Sequence, residues 1–162
     1  RHAVKTMDSR GYANISFNSV TVGADAVLGQ RDQGFGLLDS VLDRARSGVA
    51  AEMLGTAAQS FDMTLDYLKS RTQFGQVIGP FPALCPRTAT LFSGMELARS
   101  CVEAALQAID EEAQDTAELC SLSKAKMGQF LYDMSNQLIQ IHGGIGMTDS
   151  VRREMMAPQE EK

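Results

Sequence analysis

The sequence predicts a mainly α protein, an antiparallel up-down helix bundle preceded by a short N-terminal β segment. Three observations predict it. From Phe35 onward, apolar residues recur every three or four positions along three long stretches, the period of a helix face. Short loops rich in Gly, Pro or acidic residues separate those stretches. Before Phe35 the apolar period is close to two.

Residues 1–30 read as β. Ala3-Val4-Lys5-Thr6-Met7 is an extended run, and Asp8-Ser9-Arg10-Gly11 is a turn with Gly where a positive φ is needed. From Tyr12 to Val22 the alternation of Ile15, Phe17, Val20 and Val22 continues, with a slip at Asn18-Ser19 that reads as a turn or bulge. Two or three strands are not stable alone, so this segment leans on the helices or belongs to a larger sheet. Residues 23–34 are a loop.

The first helix is expected from Gly36 to Ser70, roughly 50 Å long at 1.5 Å per residue. Its inward face reads Leu38, Leu42, Ala45, Val49, Met53, Ala57, Phe61, Leu65 and Leu68. Small residues (Ala50, Ala51, Gly55, Ala57 and Ala58) keep its middle thin. Residues 72–82, with Gly75, Gly79, Pro80 and Pro82, form a loop. A second helix is expected from Ala83 to Glu112, with Leu84, Leu91, Met95, Ala98, Val102, Ala105 and Ile109 inward and Pro86 tolerated in the first turn. An acidic turn, 110–115, leads to a third helix from Thr116 to His142, which either Thr116 or Asp115 starts. Its inward face reads Leu119, Leu122, Met127, Phe130, Met134, Leu138 and Ile141. A short fourth helix is expected over 148–156. Three long helices leave an apolar face over, which oligomerisation would cover.

Composition narrows the function classes. A chain of 162 residues with 44% apolar content suffices for one domain with a real core. The net charge of −5 is interspersed and no basic cluster stands out, which argues against a nucleic-acid partner. Nine Met and no Trp suit an adaptable helical core. Cys85, Cys101 and Cys120 are odd in number and form no CxxC pair. They read as reduced thiols of a cytoplasmic protein rather than a disulfide framework or a metal site. No apolar run is long enough to span a membrane and no signal peptide is visible. The strand-like opening at Arg1 suggests a piece of something longer.

Three groups of residues are candidates for chemistry. Arg71-Thr72-Gln73-Phe74-Gly75 ends the first helix. Arg71 there either complements the helix dipole, with Gly75 as a stop, or forks onto a pyrophosphate beside an aromatic ring. Asp43 and Arg46, spaced i, i+3, either form a surface ion pair worth tenths of a kcal/mol or touch a ligand. His142 either closes a helix at the edge of the core or belongs to the third candidate, Gln140-Ile141-His142-Gly143-Gly144-Ile145-Gly146-Met147-Thr148. One glycine of that stretch is explained as a helix C-cap, but the run holds three. Gly143-Gly144-Ile145-Gly146 follows a helix and not a strand, so it is no Rossmann fingerprint. No nucleophile–base pair is legible, so no catalytic residue is assigned.

In order and spacing, these features resemble the acyl-CoA dehydrogenase family over residues 1–149. The residues that carry the resemblance are Tyr67 to Gly75, then Ile78-Gly79 and Phe81, then Gln140 to Thr148. The resemblance implies that residues 1–30 are the remnant of a central β-domain and 31–162 a C-terminal helical bundle. It implies a homo-oligomer, dimer or tetramer, or a subunit of a heteromeric dehydrogenase, with FAD at a subunit interface. Arg71, Gln73 and Phe74 would touch its pyrophosphate and adenosine side, and Gln140, Gly143 and Gly144 the same adenosine diphosphate. Asp43 and Arg46 would line the acyl-CoA channel. The implied reaction is α,β-dehydrogenation of an acyl-CoA thioester, in which a carboxylate takes the α-proton as a hydride leaves the β-carbon.

The chain departs from the family pattern at Pro82, where a side chain commonly contacts FAD, and at Pro86, which lacks a backbone donor. The family's usual catalytic Glu would fall near position 167, and the position on the first helix that carries Glu in a minority of members is Ala45 here. The chain is therefore expected to be inactive alone. A non-catalytic assembly subunit, and a related flavoenzyme of the nitroalkane oxidase or flavin monooxygenase type, are the alternatives.

Overall fold

The computed structural model describes residues 1–6 and 11–148. Its contacts divide the chain into two units, Arg1–Leu37 and Leu38–Lys162. In the first, strands β1 (His2–Lys5) and β2 (Gly11–Asn14) pair antiparallel, with His2 opposite Asn14 and Lys5 opposite Gly11. The expected strand through Ile15–Val22 is not formed. The register gives the reason: residues after Asn14 lie past the end of β1, and among the described residues of the unit no further strand takes up their N–H and C=O groups. Ile15, Phe17, Val20 and Val22 are accordingly exposed. A short 3-10 turn, Ala24–Ala26, interrupts the following loop. The turn expected at Asp8–Arg10 lies outside the described residues.

The second unit is built on α1 (Gly34–Ser70), α2 (Cys85–Asp110) and α3 (Thr116–His142). The third helix has the expected bounds, and the other two differ by two residues at the ends. Cross-contacts fix the up-down-up order. Arg87, near the start of α2, donates to the side-chain carbonyl of Gln137, near the end of α3, at 2.6 Å. Tyr67, near the end of α1, meets His142 at the end of α3. Pro86 occupies the first turn of α2, where its missing donor is not needed. Asp115 precedes α3 without a side-chain cap. Thr116 instead donates its hydroxyl to the carbonyls of Ala113 and Ala108, at 2.7 and 2.9 Å, and ties the α2–α3 turn. The fourth helix expected past Thr148 lies outside the described residues.

The core joins Ala50, Ala57, Phe61 and Leu68 of α1 to Leu91, Met95, Ala98 and Val102 of α2 and Met127, Phe130, Met134, Leu138 and Ile141 of α3. Small residues on α1 and α2 leave room for the large ones on α3. Two faces differ from expectation. On α1, Leu38, Leu42, Ala45 and Val49 are exposed, and Asp43, Ser47 and Ala50 are buried in their place. The buried stripe runs 43, 47, 50, 54, 57, 61, 64, 68, alternating steps of four and three, the 3.5-residue period of close-packed helices. The apolar stripe drifts from it in steps of four and joins it only at Ala57. On α3, Leu122 is exposed and Cys120 and Ser123 are buried, one position out of register with the expected face.

Candidate functional site

The chain after α1 is not a plain loop. Thr72–Gln73 (β3) and Gln76–Val77 (β4) pair as a hairpin closed by Phe74-Gly75. Both closing residues have positive φ, 53° and 79°, as a two-residue turn of type I′ requires. Gly75 adopts this freely; Phe74 does so against the clash of its own Cβ, which costs about 1–2 kcal/mol. The hairpin is short, so its stability comes from its roots. Ile78 donates its backbone N–H to Arg71 and Gly79 to Leu68, and the Ile78 side chain is buried. The Phe81 ring lies 6.1 Å from that of Phe74. Phe74 itself is 91% exposed. Gln73 is exposed and bonds only the carbonyl of Thr72, its own neighbour. Arg71 is half-buried at the base, and its guanidinium has no partner among the described residues.

At the same end, α3 stops at His142. Gly143 takes φ 64°, ψ −140° and returns its N–H to Gln140 and Ile139. Residues Gly143–Met147 then form a 3-10 turn. The three glycines have different reasons. Gly143 is required by its positive φ. Gly146 is required by space, because a Cβ there would lie 2.8 Å from the Ile139 carbonyl oxygen and 3.0 Å from the His142 Cβ. Gly144 is required by neither among the described residues, since its φ is ordinary and none of their atoms comes within 4 Å of a Cβ placed there. Gln140 is exposed one turn back.

The structure brings the Arg71–Gly75 and Gln140–Gly144 segments to one end of the bundle. The Tyr67 and His142 rings stack at 4.5 Å between centroids, inclined by 28°. The Tyr67 hydroxyl donates to the His142 carbonyl at 3.4 Å, and the Nδ1–H of His142 donates to Leu138 at 2.9 Å. His142 is thus the half-buried residue that closes the helix. Tyr67 belongs to the motif that carries the resemblance, but no role was assigned to it from the sequence. Its signal was its position, one helical turn before Arg71 and hence on the same face, with an apolar ring and a polar tip.

Asp43 and Arg46 lie elsewhere. They stand 28 and 25 residues before Arg71 on one continuous helix, so roughly 40 Å separates the two places. Their neighbourhood is the α2–α3 turn, where Asp43 lines a cleft of about 330 Å³ with Ser40, Arg44, Ile109, Glu112 and Thr116. The i, i+3 ion pair forms, and it is part-buried, with the Arg46 side chain 37% exposed. Asp43 is only 7% exposed, and the Arg46 Nη1 donates to its Oδ1 at 2.6 Å. Among the described residues no group of three or more His, Cys, Asp or Glu could hold a metal ion, and no helix is long and apolar enough to cross a membrane.

Known proteins match the chain in sequence and fold. A family model, the acyl-CoA dehydrogenase C-terminal domain, matches residues 32–158. The caffeyl-CoA reductase–Etf complex subunit CarC of Acetobacterium woodii is 30% identical over 144 residues, 89% of this chain and 38% of that protein. The structure of butyryl-CoA dehydrogenase from Megasphaera elsdenii is similar with a TM-score of 0.80 at 29% identity, covering 86% of this chain and 37% of the other. That of PigA with FAD and proline is similar with a TM-score of 0.62 at 26% identity, over 68% of this chain and 29% of the other. The chain therefore spans little more than a third, at most, of these relatives. An antiparallel bundle carrying both motifs at one end, matched by the family model over most of its length, identifies the chain as a member of the acyl-CoA dehydrogenase family.

Proposed function

We propose that this chain supplies half of an FAD site in an enzyme that dehydrogenates acyl-CoA thioesters between the α and β carbons. The observation that carries the reading is the convergence of the Arg71 hairpin and the Gly143-Gly144 turn at one end of the bundle. The residues there fit the cofactor. Arg71 offers a half-buried guanidinium for a pyrophosphate, and Phe74 an exposed ring for a flat heterocycle. Gln73 and Gln140 offer amides, and Gly143 and Gly144 an open backbone. The chemistry that FAD supplies when bound is acceptance of a hydride. The chain's own contribution is to hold it and exclude water from it.

Asp43 and Arg46 line the acyl-CoA channel in this reading. They stand too far from Arg71 to serve the same ligand within one chain. A dimer or tetramer, in which the hairpin end of one chain completes the site of another, accounts for both places. Residues 1–30 then belong to a central β-domain, and the free thiols suit a cytoplasmic enzyme. Ala45 cannot accept a proton, so the base that takes the α-proton comes from outside residues 1–162, and these residues alone are inactive. The test is anaerobic mixing of this polypeptide with FAD and a panel of acyl-CoA thioesters. Flavin absorbance should stay unbleached; bleaching would overturn the assignment of the base. The same mixture should show bound FAD only when the chains associate.

Two observations favour other readings. The similarity to a subunit of a reductase–Etf complex supports a role as a partner in a heteromeric assembly. The similarity to a protein that holds FAD with proline supports flavin chemistry on a substrate other than a thioester, as in nitroalkane oxidases or flavin monooxygenases. Copurification with a second subunit marks the first. Bleaching of the full-length enzyme by an amino acid or nitroalkane, and not by acyl-CoA, marks the second.

A further inference from the structure

Tyr67 touches both segments of the proposed cofactor site, and the rest of its contacts show how. Its carbonyl accepts the backbone N–H of Arg71 at 2.8 Å, which sets the last turn of α1 from which the hairpin leaves. Its ring covers one face of His142, and its hydroxyl reaches the His142 carbonyl at the junction of α3 and the 3-10 turn. His142 is held from two further sides. Its Nδ1–H bonds Leu138, which fixes the tautomer because a carbonyl can only accept. Its Cβ would lie 3.0 Å from a Cβ on Gly146, so the 3-10 turn is folded directly against it. The Tyr67 side chain thus ties the last turn of α1, from which the hairpin leaves, to the residue that precedes the glycine turn.

We propose that Tyr67 and His142 form a clamp that sets the spacing between Arg71–Gly75 and Gly143–Gly144, so that both segments meet one ligand. The inference rests on the FAD reading above and deepens it. Tyr67 is a positioning residue: it acts through the segments it holds and is not itself a contact of the cofactor. A ligand that bridges two segments is sensitive to their spacing, whereas the stability of either segment is not. The clamp accordingly couples the hairpin to the glycine turn in binding.

The experiment uses the full-length protein and its Tyr67→Phe, Tyr67→Leu and Phe74→Ala variants, with FAD affinity, apoprotein thermal midpoint and amide exchange measured for each. Tyr67→Leu should weaken FAD binding about tenfold, and Tyr67→Phe, which keeps the stacked ring, should restore most of that loss. Phe74→Ala should weaken binding alone but add little on top of Tyr67→Leu, because the hairpin is already displaced. Amide exchange in Tyr67→Leu should quicken in residues 72–79 and 143–148 together. Additive losses, or faster exchange in only one segment, would overturn the clamp. So would an unchanged FAD affinity with a lowered midpoint, which marks packing alone. If the unsubstituted protein takes up no FAD, the cofactor reading falls by itself. Joint or separate exchange of the two segments then still decides whether the clamp exists. If Tyr67→Leu fails to fold, His142→Gln, which removes the stacked partner from the other side, answers the same question.

Discussion

The two ends of the bundle are built on opposite plans. At the α2–α3 turn, the charged groups of the site are satisfied within the chain: Asp43 is buried and holds Arg46 at 2.6 Å. At the hairpin end, the groups of the proposed site are left open: among the described residues Arg71 has no partner and nothing meets a Cβ on Gly144, and Phe74 stands exposed in a strained conformation. Where the chain completes its own interactions, a substitution is read in stability. Where it leaves them incomplete, a substitution is read in binding, and stability moves little or improves.

The largest expected effect is at the closed end. Arg46→Ala leaves the buried Asp43 carboxylate without its cation; because the Arg46 side chain is 37% exposed and solvent screens the pair, the cost should be about 2 kcal/mol, between the exposed and the fully buried case. In a chain of this size that lowers the thermal midpoint by roughly 4–8 °C. Asp43→Asn should cost less, because an amide oxygen still accepts from Arg46 and no charge is stranded. A loss for Arg46→Ala no greater than the few tenths typical of an exposed i, i+3 pair would dissolve the contrast between the ends. The thermal midpoints of the two variants, measured side by side, decide it.

How far each end was legible in the sequence follows the same division. The helices were legible, because their periods are long and their stops carry Gly, Pro or acidic residues; α3 has the expected bounds. The buried face of the first half of α1 was not. Hydrophobicity pointed to Leu38, Leu42 and Val49, but packing selected the 3.5-residue stripe through Asp43, Ser47 and Ala50. Such a stripe is invisible when its members are polar or small. The hairpin was also missed, since a two-residue ladder has no period to detect. Its one signal was a Gly at the second turn position. The two motifs were legible as residues, but their meeting at one end depends on Tyr67 and His142, which are 75 residues apart. The 40 Å between Asp43 and Arg71 follows from helix length once both are placed on one unbroken helix.

A middle-sized effect of opposite sign belongs to the open end. Phe74→Asn replaces a residue strained at φ 53° with one that tolerates the left-handed region and forms the Asn-Gly pair favoured in two-residue hairpins. Because Phe74 is exposed, little packing is lost. The variant should gain about 0.5–1 kcal/mol in stability and lose FAD affinity in the full-length protein. Calorimetry and FAD titration on one preparation test both halves. A loss of stability would mean that the Phe74–Phe81 contact, and not a ligand, keeps the phenyl ring there.

The smallest effect on stability separates the glycines of one turn. Gly143→Ala must place a Cβ in the left-handed region and should cost about 1–2 kcal/mol. Gly144→Ala meets no atom and has an ordinary φ, so its stability should stay within about 0.5 kcal/mol of the parent. Affinity should invert that order of interest: Gly144→Ala, silent in unfolding, should weaken FAD binding, because its methyl group meets nothing among the described residues and in this reading stands against the ligand or another chain. Repeating the titration at several protein concentrations distinguishes those two. A methyl group that blocks the cofactor weakens binding by the same factor at every concentration, whereas one that disturbs association is overcome as concentration rises. An affinity equal to the parent's at all concentrations would return Gly144 to the surface glycines without a role and remove one wall from the proposed site.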